Sequence, residues 1–274
     1  MKDLVRLSPP SPGTRLLCLP HAGGRSDLYR RWVPDLAGVA EVWAADLPGH
    51  GRRISEPPAA DLDEIVAEII GDAFSLLDRP LVVLGHSMGG LLGHEVAIGL
   101  ERLGAPLTAL VVSGCPAPHL RAQHKAVALL SDRDLLAQLR SWGGTPSELL
   151  DDLEFVATVL PALRADLALF ETYRPRPEVL ATPLHALAGR DDPVAPADAV
   201  GAWASYSTAW QGLRVLPGGH FFILAAAGAV ADLVRSATPA CAHTGDLARR
   251  RPGGGTVPSV GAQRSGATAL DGHR

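Results

Sequence analysis

Leu81-Val82-Val83-Leu84-Gly85-His86-Ser87-Met88-Gly89-Gly90 is the stretch from which the rest of the chain is read. Its apolar beginning, closed by a glycine, has the character of a parallel strand buried on both faces. Gly-His-Ser-Met-Gly follows as a G-x-S-x-G nucleophile elbow, and Gly90 to Leu103 reads as a helix. The elbow explains its residue types. Ser87 sits on a tight, strained strand-to-helix turn, and Gly85 and Gly89 leave room for the backbones to approach. Such a turn lifts the serine hydroxyl above the sheet edge. It also aims the Met88 N–H and the helix N-terminus at the place where an oxyanion forms.

Composition sets the limits. The 274 residues suit one large domain or two small ones, and 47% hydrophobic residues supply a sizeable core. A net charge of -4 argues against nucleic acid as a partner. Met1 to Pro12 has no apolar signal region, and no apolar run approaches a membrane span. Cys18, Cys115 and Cys241 are few, odd in number and far apart, which points to a reducing cytoplasm rather than a disulfide framework. No metal or nucleotide motif appears, so no cofactor is expected.

Upstream of the elbow, Thr14 to Leu19 and Glu41 to Leu47 read as strands. Asp27 to Leu36 and Leu62 to Leu77 read as helices, the second with a clear apolar face and Asp61 and Asp63 at its start. Downstream, Leu107 to Val112 reads as a strand. This alternation predicts an α/β fold: a mostly parallel central sheet with helices on both faces. From about 117 to 177 the pattern is helical, with helices expected at Asp134 to Leu139, Ser147 to Leu160 and Leu163 to Tyr173. An insertion there falls over the carboxyl ends of the strands and reads as a lid. The core resumes with strands at Pro183 to Ala188 and Leu213 to Leu216, and helices at Ala195 to Tyr206 and Phe221 to Val234. The expected domain is 1–236, followed by a solvated, disordered tail over 237–274 that is rich in small and polar residues.

An elbow of this kind belongs to the α/β-hydrolase fold, whose triad runs serine, acid, histidine. Of ten histidines, only His220 lies in the loop after the last strand, so it is the expected general base. The acid is Asp191 or Asp192. The habit of such hydrolases favours the aspartate directly before proline, Asp192, and the other is then a loop-shaping residue. The second oxyanion donor is expected from the loop after the first strand, His21-Ala22-Gly23-Gly24, where Ala22 is nominated beside Met88. His21 is read as supporting that loop, His94 as a core histidine and Cys115 as a small buried residue.

Several separate motifs narrow the resemblance. Pro20 to Gly24, Leu47-Pro48-Gly49 with Arg52-Arg53 and Glu56-Pro57, and Gly85 to Gly89 are similar to those of the type II thioesterases of polyketide and nonribosomal peptide assembly lines. So are Leu139 to Pro146, Leu160 to Asp166 and Leu216 to Phe222. The match covers about Thr14 to Val234. Gly90, His94 and His50 depart from it, standing where alanine, an aromatic residue and arginine are common. The resemblance implies hydrolysis of an acyl thioester from the phosphopantetheine arm of an acyl or peptidyl carrier protein, through an acyl-Ser87 intermediate. It assigns the roles to Ser87, Asp192 and His220, with Ala22 and Met88 as amide donors. The competing expectations are a general carboxylesterase and a catalytically silent carrier-protein-binding partner.

Overall fold

The computed structural model describes residues 2–123, 126–174, 176 and 178–238. Seven strands form one sheet: β1 (Leu4–Arg6), β2 (Thr14–Leu19), β3 (Ala40–Ala45), β4 (Leu81–His86), β5 (Ala109–Ser113), β6 (Leu184–Gly189) and β7 (Trp210–Leu216). Their order is β1-β3-β2-β4-β5-β6-β7. All neighbours are parallel except β1, which runs antiparallel to β3. The chain leaves β2 toward β3 and then returns past it to β4. The loops after β2 and β4 therefore diverge and open a crevice at the carboxyl edge, where open α/β sheets bind ligands.

Burial on both faces accounts for the apolar strand sequences. Leu17, Leu19, Leu81, Val83, Leu110 and Val112 pack on one face, against helices α1 (Leu62–Ala73) and α2 (Met88–Arg102). Leu16, Cys18, Val82, Leu84, Ala109 and Val111 alternate onto the other. There they meet Tyr29 and Trp32 from a 3₁₀ helix at Ser26–Trp32, and Val230 and Val234 from α7 (Ala227–Ala237). In the central strands neither face is left for solvent, so they show no polar alternation, whereas the edge strand β7 keeps Gln211, Arg214 and Val215 exposed.

Between β5 and β6 lie α3 (Asp132–Trp142), α4 (Ser147–Asp151) and α5 (Leu153–Thr172). They carry a small core of their own around Leu135, Leu160, Leu163 and Leu167. Two expectations are corrected here. The helix expected from Ser147 to Leu160 is broken at Asp152, whose carboxylate caps a new helix by accepting from the Glu154 and Phe155 N–H groups at 2.9 and 3.0 Å. The break expected before Leu163 is absent, and α5 runs through Pro161. Pro161 and Ala157, whose carbonyl loses its helical partner, are both exposed, so the lost bond falls on the solvent side of the helix.

Other differences are local. The expected Asp27 to Leu36 helix is the shorter 3₁₀ turn, because Pro34 lacks the N–H that would bond back to Arg30. The Ala195 to Tyr206 helix divides into α6 (Ala197–Gly201) and a 3₁₀ turn (Ala202–Tyr206). The helix expected from Phe221 starts as a 3₁₀ turn at His220–Ala225. Strand β1 was not anticipated, since three residues carry no readable period. The last helix reaches Ala237, and the Thr238 hydroxyl lies 2.9 Å from that of Thr14, so the fold runs past 236. The rest of the expected tail, 239–274, is outside the described residues. Among those described, no helix is long and apolar enough to cross a membrane.

Among the described glycines, Gly85 at the crossing of β4 and α2 has the least room for a side chain. A methyl at Gly85 would fall onto the Gly89 carbonyl, and one at Gly89 onto the carbonyl of Leu19. Gly85→Ala is therefore expected to destabilise the protein by roughly 3 kcal/mol or more in denaturant unfolding, because backbone rather than a flexible side chain must move.

Candidate active site

Ser87 follows β4 and precedes α2, with φ +53° and ψ −119°. It is the one non-glycine residue with positive φ among those described. A side chain in that region carries backbone strain, which persists only where the surroundings enforce it. Here the Ser87 N–H donates to the Ser113 carbonyl at 2.8 Å, and the Gly90 N–H donates back to the Ser87 carbonyl at 2.9 Å. The turn is thus held from both sides, and the hydroxyl stands over the sheet edge.

His220 opens the turn after β7. Its Nε2 lies 3.2 Å from Ser87 Oγ and its Nδ1 2.8 Å from Asp192 Oδ2. The other carboxylate oxygen of Asp192 accepts the Val194 and Ala195 N–H groups at 2.8 and 3.0 Å. Asp192 is buried, whereas Asp191 is exposed and contributes a backbone N–H to the Gly218 carbonyl at 3.0 Å. The loops after β6 and β7 meet closely enough that a methyl at Gly189 would strike the Gly218 and Gly219 carbonyls at 2.7 and 2.6 Å. That contact brings an aspartate and a histidine 28 residues apart into register.

Two further histidines crowd the site. The His86 ring lies 5.1 Å from that of His220, and its Nδ1 is 3.1 Å from Ser113 Oγ. His21 packs edge-on to Phe221 with ring centroids 4.8 Å apart. Burial pushes the His21 imidazole down to about 3, with His220 and His50 adding to the shift. Burial, reinforced by His220 and His21, likewise holds His86 well below the ordinary histidine range. Both are neutral at pH 7, so neither competes with His220 for the charge that Asp192 stabilises.

The serine opens into a cavity of about 830 Å³. Ala22 and Met88 line it beside Ser87 and His220. Met88 is the first residue of α2, so its N–H has no acceptor within the helix. The far walls come from the insertion, with Leu139, Trp142, Phe155, Val159, Leu163 and Phe170. A serine hydroxyl bonded through a histidine to a buried aspartate, beside a helix N-terminus and an apolar chamber, is an arrangement that can carry acyl transfer. Among the described residues, no three His, Cys, Asp or Glu side chains converge to hold a metal ion.

The remaining residues singled out by the sequence fall elsewhere. His94 is fully buried between Trp203 and Tyr206, at 5.1 and 5.5 Å between rings, and does not line the cavity. Cys115 is buried against Gly90, where an added methyl would lie 2.9 Å from the Cys115 Cβ. The cysteine thus fills the space that an alanine at 90 would take. His50 lies 2.9 Å from a carboxylate oxygen of Asp166. Asp166 had no role in the sequence reading. In the sequence it closes the motif Leu160 to Asp166 and is one of three carboxylates in α5, with Glu154 and Glu171, so nothing there marks it as a site residue. The nearness of His86 to His220 is equally unmarked, since it depends on the loop after β7 reaching back past β6 and β5 to the end of β4.

Comparison with known proteins places this geometry. The family model described as "Thioesterase domain" matches residues 14–238. The chain is 37% identical over 217 residues to thioesterase PikA5 of Streptomyces venezuelae, covering 78% of this chain and 77% of that one. It is 35% identical over 234 residues to the AMB antimetabolite synthetase AmbE of Pseudomonas aeruginosa, covering 85% of this chain. It spans only 11% of that synthetase. Among solved structures, the type II thioesterase BorB from the borrelidin biosynthetic cluster superposes with a TM-score of 0.79 at 35% identity, over 86% of this chain and 98% of that one.

The neutral histidines have a measurable consequence. In the unfolded chain His21 and His86 return to the ordinary value of 6.5, so below it the unfolded state takes protons that the folded state refuses. For His21 the stabilising effect is complete above about pH 6.5 and is lost as pH falls toward about 3, and the effect of His86 is lost in the same direction. Thermal melting is expected to drop between pH 6.5 and 5, where most carboxylates stay ionised. His86→Gln is expected to flatten that slope.

Proposed function

The chain belongs to the thioesterase domain family and is a thioester hydrolase allied to the type II thioesterases of polyketide and nonribosomal peptide pathways; from that premise we propose that it clears acyl groups from the phosphopantetheine arm of acyl or peptidyl carrier proteins. The observation that supports this most directly is the hydrogen-bonded chain Ser87–His220–Asp192 at the floor of a largely apolar cavity.

In the proposed mechanism His220 Nε2 takes the Ser87 proton as Oγ attacks the thioester carbonyl. Asp192 keeps the proton on His220 Nδ1 and stabilises the imidazolium that forms. The carbonyl oxygen becomes an oxyanion between the Ala22 and Met88 N–H groups, with the positive end of α2 behind it. Collapse breaks the C–S bond, His220 returns the proton to the sulfur, and the free arm departs with acyl-Ser87 left behind. Water then gives a proton to His220 and attacks the acyl carbon. The second tetrahedral intermediate releases the acid and restores the Ser87 hydroxyl. A thiolate leaves readily, so the demand falls on nucleophile activation and oxyanion stabilisation.

The insertion acts as a lid in this reading. Its apolar residues shelter the acyl chain, and Trp142, with its ring 6.5 Å from that of His220, covers the base. A carboxylesterase would use the same atoms on oxygen esters, and only the leaving group distinguishes the two.

Hydrolysis of an acyl group from phosphopantetheinylated carrier protein, set beside a simple aryl ester, tests the reading. Carrier-thioester turnover that disappears in Ser87→Ala is the expected result, and aryl-ester turnover without it would indicate a general esterase. Asp192→Asn is expected to lower kcat by about 10⁴-fold and Asp191→Asn by less than about 3-fold. The reverse ranking would move the acid to Asp191.

A further inference from the structure

One turn of α5 touches both loops that frame the crevice. A methyl at Gly23 would lie 2.9 Å from Leu163 Cδ1, and one at Gly49 would lie 3.2 Å from Ala162 Cβ. Both loops therefore carry a glycine where the helix presses on them. Between these contacts, on the same face of α5, sits Asp166, a carboxylate with 1% exposure. Its Oδ2 accepts the Gly23 N–H at 2.8 Å and lies 2.9 Å from His50 Nε2. Gly23 is the residue after Ala22, and its φ of +75° sets the bend of that loop.

We infer that Asp166 is a positioning residue for the oxyanion hole: through the Gly23 N–H it fixes the loop that aims the Ala22 amide at the reacting carbonyl. This rests on the reading of Ala22 as an oxyanion donor. The physical argument has three parts. An ionised acceptor makes the stronger kind of hydrogen bond to a backbone N–H. A carboxylate this deep is costly unless its charge is shared, and the two groups within 3 Å of Oδ2 are the Gly23 N–H and His50. Finally, the peptide between Ala22 and Gly23 is planar, so directing its N–H to Asp166 also settles its carbonyl and narrows the orientation open to the adjoining Ala22 N–H. Within the loop the Gly24 N–H donates to the His21 carbonyl at 2.8 Å, and Asp166 is the side chain that holds the Gly23 N–H. The carboxylate comes from the insertion and the donor from the core, so the oxyanion hole is complete only while this part of the insertion is seated.

The test uses the full chain with two probes. One is an acyl-carrier thioester. The other is a trifluoromethyl ketone, in which a CH₂ replaces the thioester sulfur. Ser87 Oγ adds to the ketone carbon, its proton passes to His220, and the resulting alkoxide occupies the oxyanion position with no group to leave. Asp166→Ala is expected to lower kcat by about 10- to 100-fold, with KM changed less than about 3-fold, and to weaken ketone inhibition by the same factor as kcat. Asp166→Asn keeps an acceptor for the Gly23 N–H and is expected to stay within about 5-fold of wild type on both measures. If Asp166→Ala does not fold, Asp166→Glu takes its place. Its longer arm displaces Gly23, so kcat and ketone affinity are expected to fall together while the melting temperature stays near wild type. Ketone inhibition unchanged in the Ala or Glu variant, a loss confined to KM, or an Asn variant as impaired as Ala would overturn the positioning role alone. A wild-type protein that neither hydrolyses the thioester nor binds the ketone would overturn it together with the thioesterase reading.

Discussion

The structure depends on a backbone that is strained at one residue. Ser87 is held at positive φ where β4 gives way to α2, and the turn closes only because Gly85, Gly89 and the end of β2 come into near contact. That contact fixes the angle at which α2 leaves the sheet. It also places the loop after β2 beside the helix N-terminus. The backbone N–H groups at the start of α2 and the loop after β2 are thus brought beside the serine by the same packing that exposes its hydroxyl. Any side chain at Gly85 or Gly89 would disturb both at once.

Around this turn, buried charge is kept sparse and paired. Asp192 shares its two oxygens between His220 and the N–H groups of its own loop. Asp166 instead sets one oxygen, Oδ2, against both the Gly23 N–H and His50. A third carboxylate, Asp46, accepts from the Ser26 N–H at 2.7 Å and the Arg52 N–H at 3.1 Å, so it ties the loops after β2 and β3 together from below. The other imidazoles of the cluster, His21 and His86, are kept neutral by burial. The imidazole within hydrogen-bond reach of the serine is that of His220, in a chamber that is largely apolar but is also lined by Arg25, His50, Gln138 and Glu171.

Sequence reading reached much of this because the fold writes its rules in local chemistry. A buried parallel sheet demands apolar runs, and Leu81 to Leu84 and Leu107 to Val112 supply them between glycine- and proline-containing breaks. The elbow demands small residues at Gly85 and Gly89. Chain order singled out His220, and proline after Asp192 favoured that residue over its neighbour. What the sequence misjudged was termination. Asp152 caps a helix where a continuous one was expected, and Pro161 lies inside one where a break was expected. In each case the answer depended on which face of the segment met water.

By itself, then, the sequence determined the strand–elbow–helix unit, the parallel sheet, the apolar core and the set of side chains available for chemistry, because each follows from the periodicity or the backbone freedom of neighbouring residues. Only the tertiary structure decided which of those side chains meet. The pairing of Asp166 with Gly23 and His50, the filling of the space at Gly90 by Cys115 and the gathering of His21, His86 and His220 join residues dozens of positions apart. No local pattern encodes such contacts. They exist because the order of the strands brings the loop ends together and because an insertion between β5 and β6 folds back across them.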